Sequence, residues 1–134
     1  MGDFPVPAAN MIVAVVDDDE GMRRSICAIL EIAGFPTRSY GSAEAFLADG
    51  DVGGHVCALI VDQNLGRTTG LDLIRVVAAR AEYPAILLIS AELTPQLARA
   101  ALTAGATEAK HKPVSPSEVI NFCTKAKQRS NAVR

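Results

Sequence analysis

Three stretches of five residues, Ile12-Val13-Ala14-Val15-Val16, Cys57-Ala58-Leu59-Ile60-Val61 and Ala85-Ile86-Leu87-Leu88-Ile89, are apolar at every position and rich in branched side chains. A strand with one wet face alternates, whereas a strand covered on both faces is apolar throughout. These runs predict central strands of a parallel sheet. Thr37-Arg38-Ser39-Tyr40 and Ala106-Thr107-Glu108-Ala109 are more polar and predict more exposed strands.

The segments between the runs carry helical spacing with recognisable ends. Met22, Ile26, Ile29, Leu30 and Ala33 repeat at the helical period and stop at Gly34, a natural C-terminal breaker. Ser42 caps a short helix through Leu47. Thr69-Gly70-Leu71-Asp72 fits a capping box ahead of Leu71, Ile74, Val77, Ala78 and Ala81. Thr94-Pro95 pairs a cap with a proline at the first helical position, and that helix runs through Leu97, Ala101 and Ala104 to Gly105. Ser115-Pro116-Ser117-Glu118 uses both devices before Val119, Phe122, Cys123 and Ala126. Residues 1–10 read as a flexible lead-in, 11–127 as one domain and 128–134 as a tail. Strict alternation of five strands and five helices predicts an α/β fold, a doubly wound parallel sheet with helices on both faces and right-handed crossovers.

In such sheets ligands bind beyond the carboxyl ends of the strands. That edge collects Asp17, Asp18 and Asp19 after the first strand, Asp62 after the third, Ser90 after the fourth and Lys112-Pro113 after the fifth. The charge count changes meaning in this light. The chain has 134 residues, 13 Lys and Arg against 15 Asp and Glu, and a net charge of −2. Setting aside Asp17, Asp18, Asp19 and Glu20 leaves 13 basic against 11 acidic residues, so the acidity is local. Asp19 suits helix N-capping, but capping accounts for only one acid of the run. Two or three carboxylates from different loops make a hard oxygen site suited to Mg²⁺. A carboxylate can also be a nucleophile that forms an aspartyl-phosphate, with Lys112 as a second cation and Ser90 as a hydroxyl donor to phosphate oxygen.

These residues resemble the receiver domain of bacterial two-component response regulators. Val15-Val16-Asp17-Asp18-Asp19-Glu20 with Met22-Arg23-Arg24 is similar to that family's opening strand and first helix. The intervals fit as well: 44 positions from Asp18 to Asp62, 8 from Asp62 to Gly70, 22 from Ser90 to Lys112, then Pro113. Ser42-Ala43-Glu44-Ala45-Phe46-Leu47 resembles receivers of the nitrogen-fixation type of transcriptional regulator. The resemblance implies a flavodoxin-like strand order 2-1-3-4-5. It implies that Asp62 accepts a phosphoryl group from a sensor histidine kinase or phosphotransfer protein. It further implies that Asp17, Asp18, Asp62 and the main-chain carbonyl of Asn64 hold Mg²⁺, and that Ser90 and Lys112 bind the phosphoryl group. A downstream protein would read the face made by Thr94–Ala104, the fifth strand and Ser115–Lys127.

Two positions depart from the family pattern. Ala109 stands three positions before the lysine, where a switch side chain is usual, and Gly66 replaces the usual proline four positions after the acceptor. Ala109 keeps a second reading open, a pseudo-receiver that signals by protein contact without phosphorylation. A hydrolase acting on external phosphoesters fits less well, because Asn64 sits where a second catalytic carboxylate would be needed. The chain is expected to catalyse only its own phosphotransfer and dephosphorylation.

Other classes fall away. The longest apolar run, Met11 to Val16, is far short of the roughly 20 residues a membrane helix needs. No secretory signal opens the sequence, which predicts a cytoplasmic protein. Near-neutral charge argues against direct nucleic-acid binding, and residues 128–134 are too few for a DNA-reading domain. Cys27, Cys57 and Cys123 have no metal or disulfide spacing and are expected to be buried thiols. His55 and His111 are expected to be exposed and not to serve as ligands.

Overall fold

A computed structural model of the chain describes residues 12–50 and 55–132; the expected lead-in over 1–10 lies outside them. Ten elements alternate: β1 (Ile12–Val16), α1 (Glu20–Ile32), β2 (Thr37–Tyr40), α2 (Ala43–Ala48), β3 (Val56–Asp62), α3 (Gly70–Ala78), β4 (Ala85–Ser90), α4 (Pro95–Ala104), β5 (Glu108–His111) and α5 (Pro116–Ala132). The strands form one parallel sheet in the order β2-β1-β3-β4-β5. Among the described residues no helix is long and apolar enough to cross a membrane.

The continuous apolar runs are explained by two cores, one on each side of the sheet. Ala14, Val16, Leu59, Val61, Ile86 and Leu88 point to one side and meet α2, α3 and α4 through Phe46, Leu73, Ile74, Val77 and Ala101. Their neighbours Val13, Val15, Ala58, Ile60, Leu87 and Ile89 point to the other and meet α1 and α5 through Ile26, Leu30, Val119, Phe122 and Cys123. Successive strand residues face opposite ways, so each five-residue run serves both cores at once. The edge strands β2 and β5 contain no fully buried residue.

Local signals set the helix starts. Asp19, Ser42, Thr69 and Thr94 each accept a backbone N–H from their own first turn, and Thr69 with Asp72 completes a capping box. Each such cap is worth about 1 kcal/mol.

Three expectations need correction. The fifth strand starts at Glu108, two positions later than the polarity pattern suggested. Thr107 is tied to β4 differently, its N–H donating to Ile86 O at 2.8 Å and its Oγ1 accepting the Ile86 N–H at 3.1 Å, so the ladder begins one residue on. The third helix stops at Ala78, which leaves Ala81 outside it and exposed, and Leu73 takes the buried place. Ala78 closes against Gly105, where an added Cβ would lie 2.5 Å from the Ala78 Cβ. Finally, residues 128–132 are helical and continue α5; 133–134 lie outside the described residues.

Of the cysteines, Cys57 and Cys123 are buried as expected, whereas Cys27 on α1 is half-buried. Burial pushes the Cys123 thiol up to about 12, and Cys57 moves in the same direction for the same reason. A disulfide-exchange reagent at mildly alkaline pH should therefore titrate one thiol in the native protein and all three in guanidinium.

Candidate functional site

The strands deliver their polar residues to one edge of the sheet. Asp17 follows β1 directly, and its N–H donates to Tyr40 O at 3.1 Å, which continues the β1–β2 ladder by one step. Asp62 is the last residue of β3, one strand over. Both carboxylates are buried, at 1% and 5% exposure, while Asp18 is exposed. Carboxylate oxygens of Asp17, Asp18 and Asp62 lie within 4.8 Å of one another.

Lys112 enters from beyond β5. Its N–H donates to Ser90 O at 2.8 Å, which anchors the backbone to the end of β4. The ammonium then sits 3.4 Å from Asp17 Oδ2 and 3.2 Å from Asp62 Oδ2. The Lys112–Pro113 peptide is cis. Ser90 is buried at the end of β4, and its Oγ accepts the Glu92 N–H at 3.1 Å, which leaves the hydroxyl proton uncommitted by that bond. Asp19 turns away as the α1 cap, its Oδ1 accepting the Met22 N–H at 3.3 Å. His55 and His111 are exposed.

Electrostatics show what the cluster lacks. Burial raises the Asp17 carboxyl above its ordinary value; the Asp19 N–H opposes this, Asp62 adds to it, and Lys112 opposes it. Burial disfavours the Lys112 ammonium, yet the two carboxylates together outweigh that and raise it. Three carboxylates against one ammonium leave two negative charges in a hard-oxygen pocket, the donor set and charge that suit a small divalent cation. The loop after β3 is consistent with a fourth oxygen. Gly70 N–H donates to the carbonyl of Gln63 and, among the described residues, no backbone N–H donates to that of Asn64. The Asn64 side chain is exposed and accepts the Gly66 N–H at 3.4 Å.

Two residues hold Asp62 and the end of β3 in place, and the sequence reading gave neither of them this role. Gln63 Oε1 accepts the Leu71 N–H at 2.9 Å, which clamps the start of α3 to the end of β3. Gly70 lies so close to the backbone of Asp62 that a Cβ there would be 2.5 Å from Asp62 O and 2.9 Å from Leu88 Cδ1. A glycine opening a helix, where a better helix former would serve, is the sequence signal for such an approach. Gln63 had none, since amide-to-backbone bonds follow no spacing rule.

Comparison with known proteins gives a consistent picture. Residues 13–124 match the family described as response regulator receiver domain. The transcriptional regulatory protein FixJ of Azorhizobium caulinodans is 30% identical over 111 residues, covering 83% of this chain and 52% of that protein. The chain spans about half the length of the curated relatives it matches. A receiver domain protein from Clostridium thermocellum superposes with a TM-score of 0.85 at 20% identity, covering 92% of this chain and 98% of that one. The structure of FixJ-N does so with 0.79 at 27% identity, covering 89% and 94%.

The excess of carboxylate predicts opposite effects for two substitutions. In EDTA at neutral pH, Asp62→Asn should raise Tm by roughly 2–5 °C by relieving repulsion, and Lys112→Met should lower it by at least as much. The sign with pH follows from Asp17. Its proton is held more tightly folded than unfolded, so metal-free stability should fall as pH rises from 3.8 through the elevated folded value. Thermal melts across pH check both.

Proposed function

The chain belongs to the response regulator receiver domain family of two-component signalling, and from that premise we propose that it is a phosphorylation-dependent switch with Asp62 as phosphoacceptor. The observation that carries this reading is the Lys112 ammonium bridging Asp17 and Asp62, one cation set against two carboxylates from adjacent strands. The donor would be the phosphohistidine of a sensor kinase or phosphotransfer protein. An Asp62 carboxylate oxygen attacks phosphorus, the P–N bond breaks, and the imidazole leaves with the electron pair. Phosphoryl transfer of this kind needs alignment and charge neutralisation more than acid–base chemistry.

Asp17, Asp18, Asp62 and the carbonyl of Asn64 would hold Mg²⁺, which supplies positive charge to the transferring oxygens when bound. Lys112 already touches the acceptor carboxylate and would take a phosphoryl oxygen. Ser90 would donate its hydroxyl proton to another, a proton that the bond accepted from the Glu92 N–H leaves available. Phosphorylation thus replaces one buried carboxylate by a larger dianionic group, and Lys112 and Ser90 carry the change to the ends of β5 and β4. The protein acts on itself alone, in the cytoplasm, and the state is read by a protein partner on α4, β5 and α5. Ala109 lies half-buried in β5 against the core beneath α2, α3 and α4. Its single methyl cannot swing as a long side chain would, so the output rests on backbone and helix displacement. The same residue favours the second reading, a pseudo-receiver that binds partners without phosphorylation.

Incubation with acetyl phosphate and Mg²⁺ should add one phosphoryl group by intact-mass spectrometry, and Asp62→Asn should abolish it. Persistent labelling of that variant would overturn the assignment. No labelling of the wild type, together with unchanged amide resonances in Mg²⁺ and beryllofluoride, would establish the pseudo-receiver. Asn64 and Glu92 are both exposed, and in this reading they let water reach the buried acceptor. Replacing both with bulky apolar residues should lengthen the phosphorylated lifetime several-fold in a decay assay.

A further inference from the structure

Asp18 is the exposed member of the acidic pocket, and its placement depends on the short turn that joins β1 to α1. That turn is closed by four contacts. Asp19 N–H donates to Asp17 Oδ1 at 2.9 Å, and Asp19 Oδ1 accepts the Met22 N–H at 3.3 Å. The Arg23 N–H donates to Asp19 O at 3.0 Å. Arg23 then folds its side chain back over the turn, and Nη1 donates to the carbonyl of Asp17 at 2.7 Å. That carbonyl belongs to the peptide joining Asp17 to Asp18. With the Asp17 N–H held by Tyr40 O, the residue is pinned on both sides.

The guanidinium is constrained from behind as well. Gly41, at the start of the β2–α2 connection, lies under it so closely that a Cβ there would be 3.3 Å from Nη1 and 3.7 Å from Cζ. A guanidinium near several carboxylates ordinarily takes one in a paired, bidentate contact. Here Nη1 bonds a main-chain carbonyl instead, so Arg23 takes neither the Asp17 nor the Asp18 carboxylate as its partner.

We propose that Arg23 is a positioning residue for the acidic pocket: it fixes the Asp17–Asp18 peptide so that both carboxylates converge with Asp62 on a divalent cation. This rests on the metal-binding reading of the pocket given above. The proposal makes a prediction opposite in sign to simple electrostatics. Removing a positive charge from the neighbourhood of a cation site should tighten binding through space. Loss of a positioning contact weakens it, and supporting contacts around metal ligands are typically worth roughly 10–100-fold in affinity.

The test is an Mg²⁺ titration of the full chain followed by amide resonances of residues 17–19 and 62–64, with a thermal melt of each variant alongside. The wild type should shift saturably, and Arg23→Gln should bind about tenfold more weakly. Arg23→Lys, whose ammonium can still donate to the carbonyl, should fall between them. Gly41→Ala crowds the guanidinium without changing any charge and should weaken binding by a smaller factor; it also carries the test if Arg23→Gln fails to fold. Wild-type or tighter affinity in Arg23→Gln or Gly41→Ala would overturn the role of Arg23 while leaving the pocket intact as a metal site. A wild-type chain that shows no saturable Mg²⁺ response, like an Asp18→Asn control, would overturn the metal-binding reading itself.

Discussion

A half-buried ammonium held between two buried carboxylates ties together the carboxyl edge of this sheet. Lys112 comes from the far side of β5, is anchored on Ser90 at the end of β4, and reaches Asp62 on β3 and Asp17 after β1. Its contacts therefore link four of the five strands. Ion pairs of this kind contribute little net stability when weighed against desolvation, and here the carboxylates outnumber the cation. The arrangement is better understood as a pocket left short of positive charge than as a structural bridge.

The cost of that pocket is met by parts of the molecule that do not touch it. Val13 through Val16, Ala58 through Val61 and Ile86 through Ile89 are all buried, and they supply two cores that hold the strand ends at fixed register. Parallel pairing places the ends of β1 and β3 side by side, and the first turns of α1 and α3 lie directly beyond them. Close backbone approach does the rest. Gly70 lets α3 begin against the carbonyl of Asp62, and Gln63 ties the two segments together. A rigid scaffold beneath a pocket with unbalanced charge is the condition under which a local change of charge can bias a whole face.

Most of this was legible in the sequence because two strong periodicities carry it. The three all-apolar runs could only be strands covered on both faces, and capping residues marked where helices begin. Once strand ends were known, Asp17, Asp62, Ser90 and Lys112 followed, since the fold dictates which residues share an edge. The reading slipped where side-chain character stops tracking the ladder. Thr107 bonds β4 through its own hydroxyl and so delays β5, and α3 packs Leu73 where the apolar stripe admitted Leu71 and Ala81 equally well. Arg23 and Gln63 bond backbone groups, and no spacing of residue types announces such contacts.

Ala109 in β5 offers only a methyl group, so the proposed switch rests on the phosphoryl chemistry at Asp62. The most direct measurement is borohydride reduction of the acetyl-phosphate-treated protein followed by tandem mass spectrometry, which converts an aspartyl-phosphate into homoserine and marks its position. Homoserine at position 62 and nowhere else is the expected result. Homoserine at Asp17, Asp18 or any other carboxylate, with residue 62 intact, would contradict it.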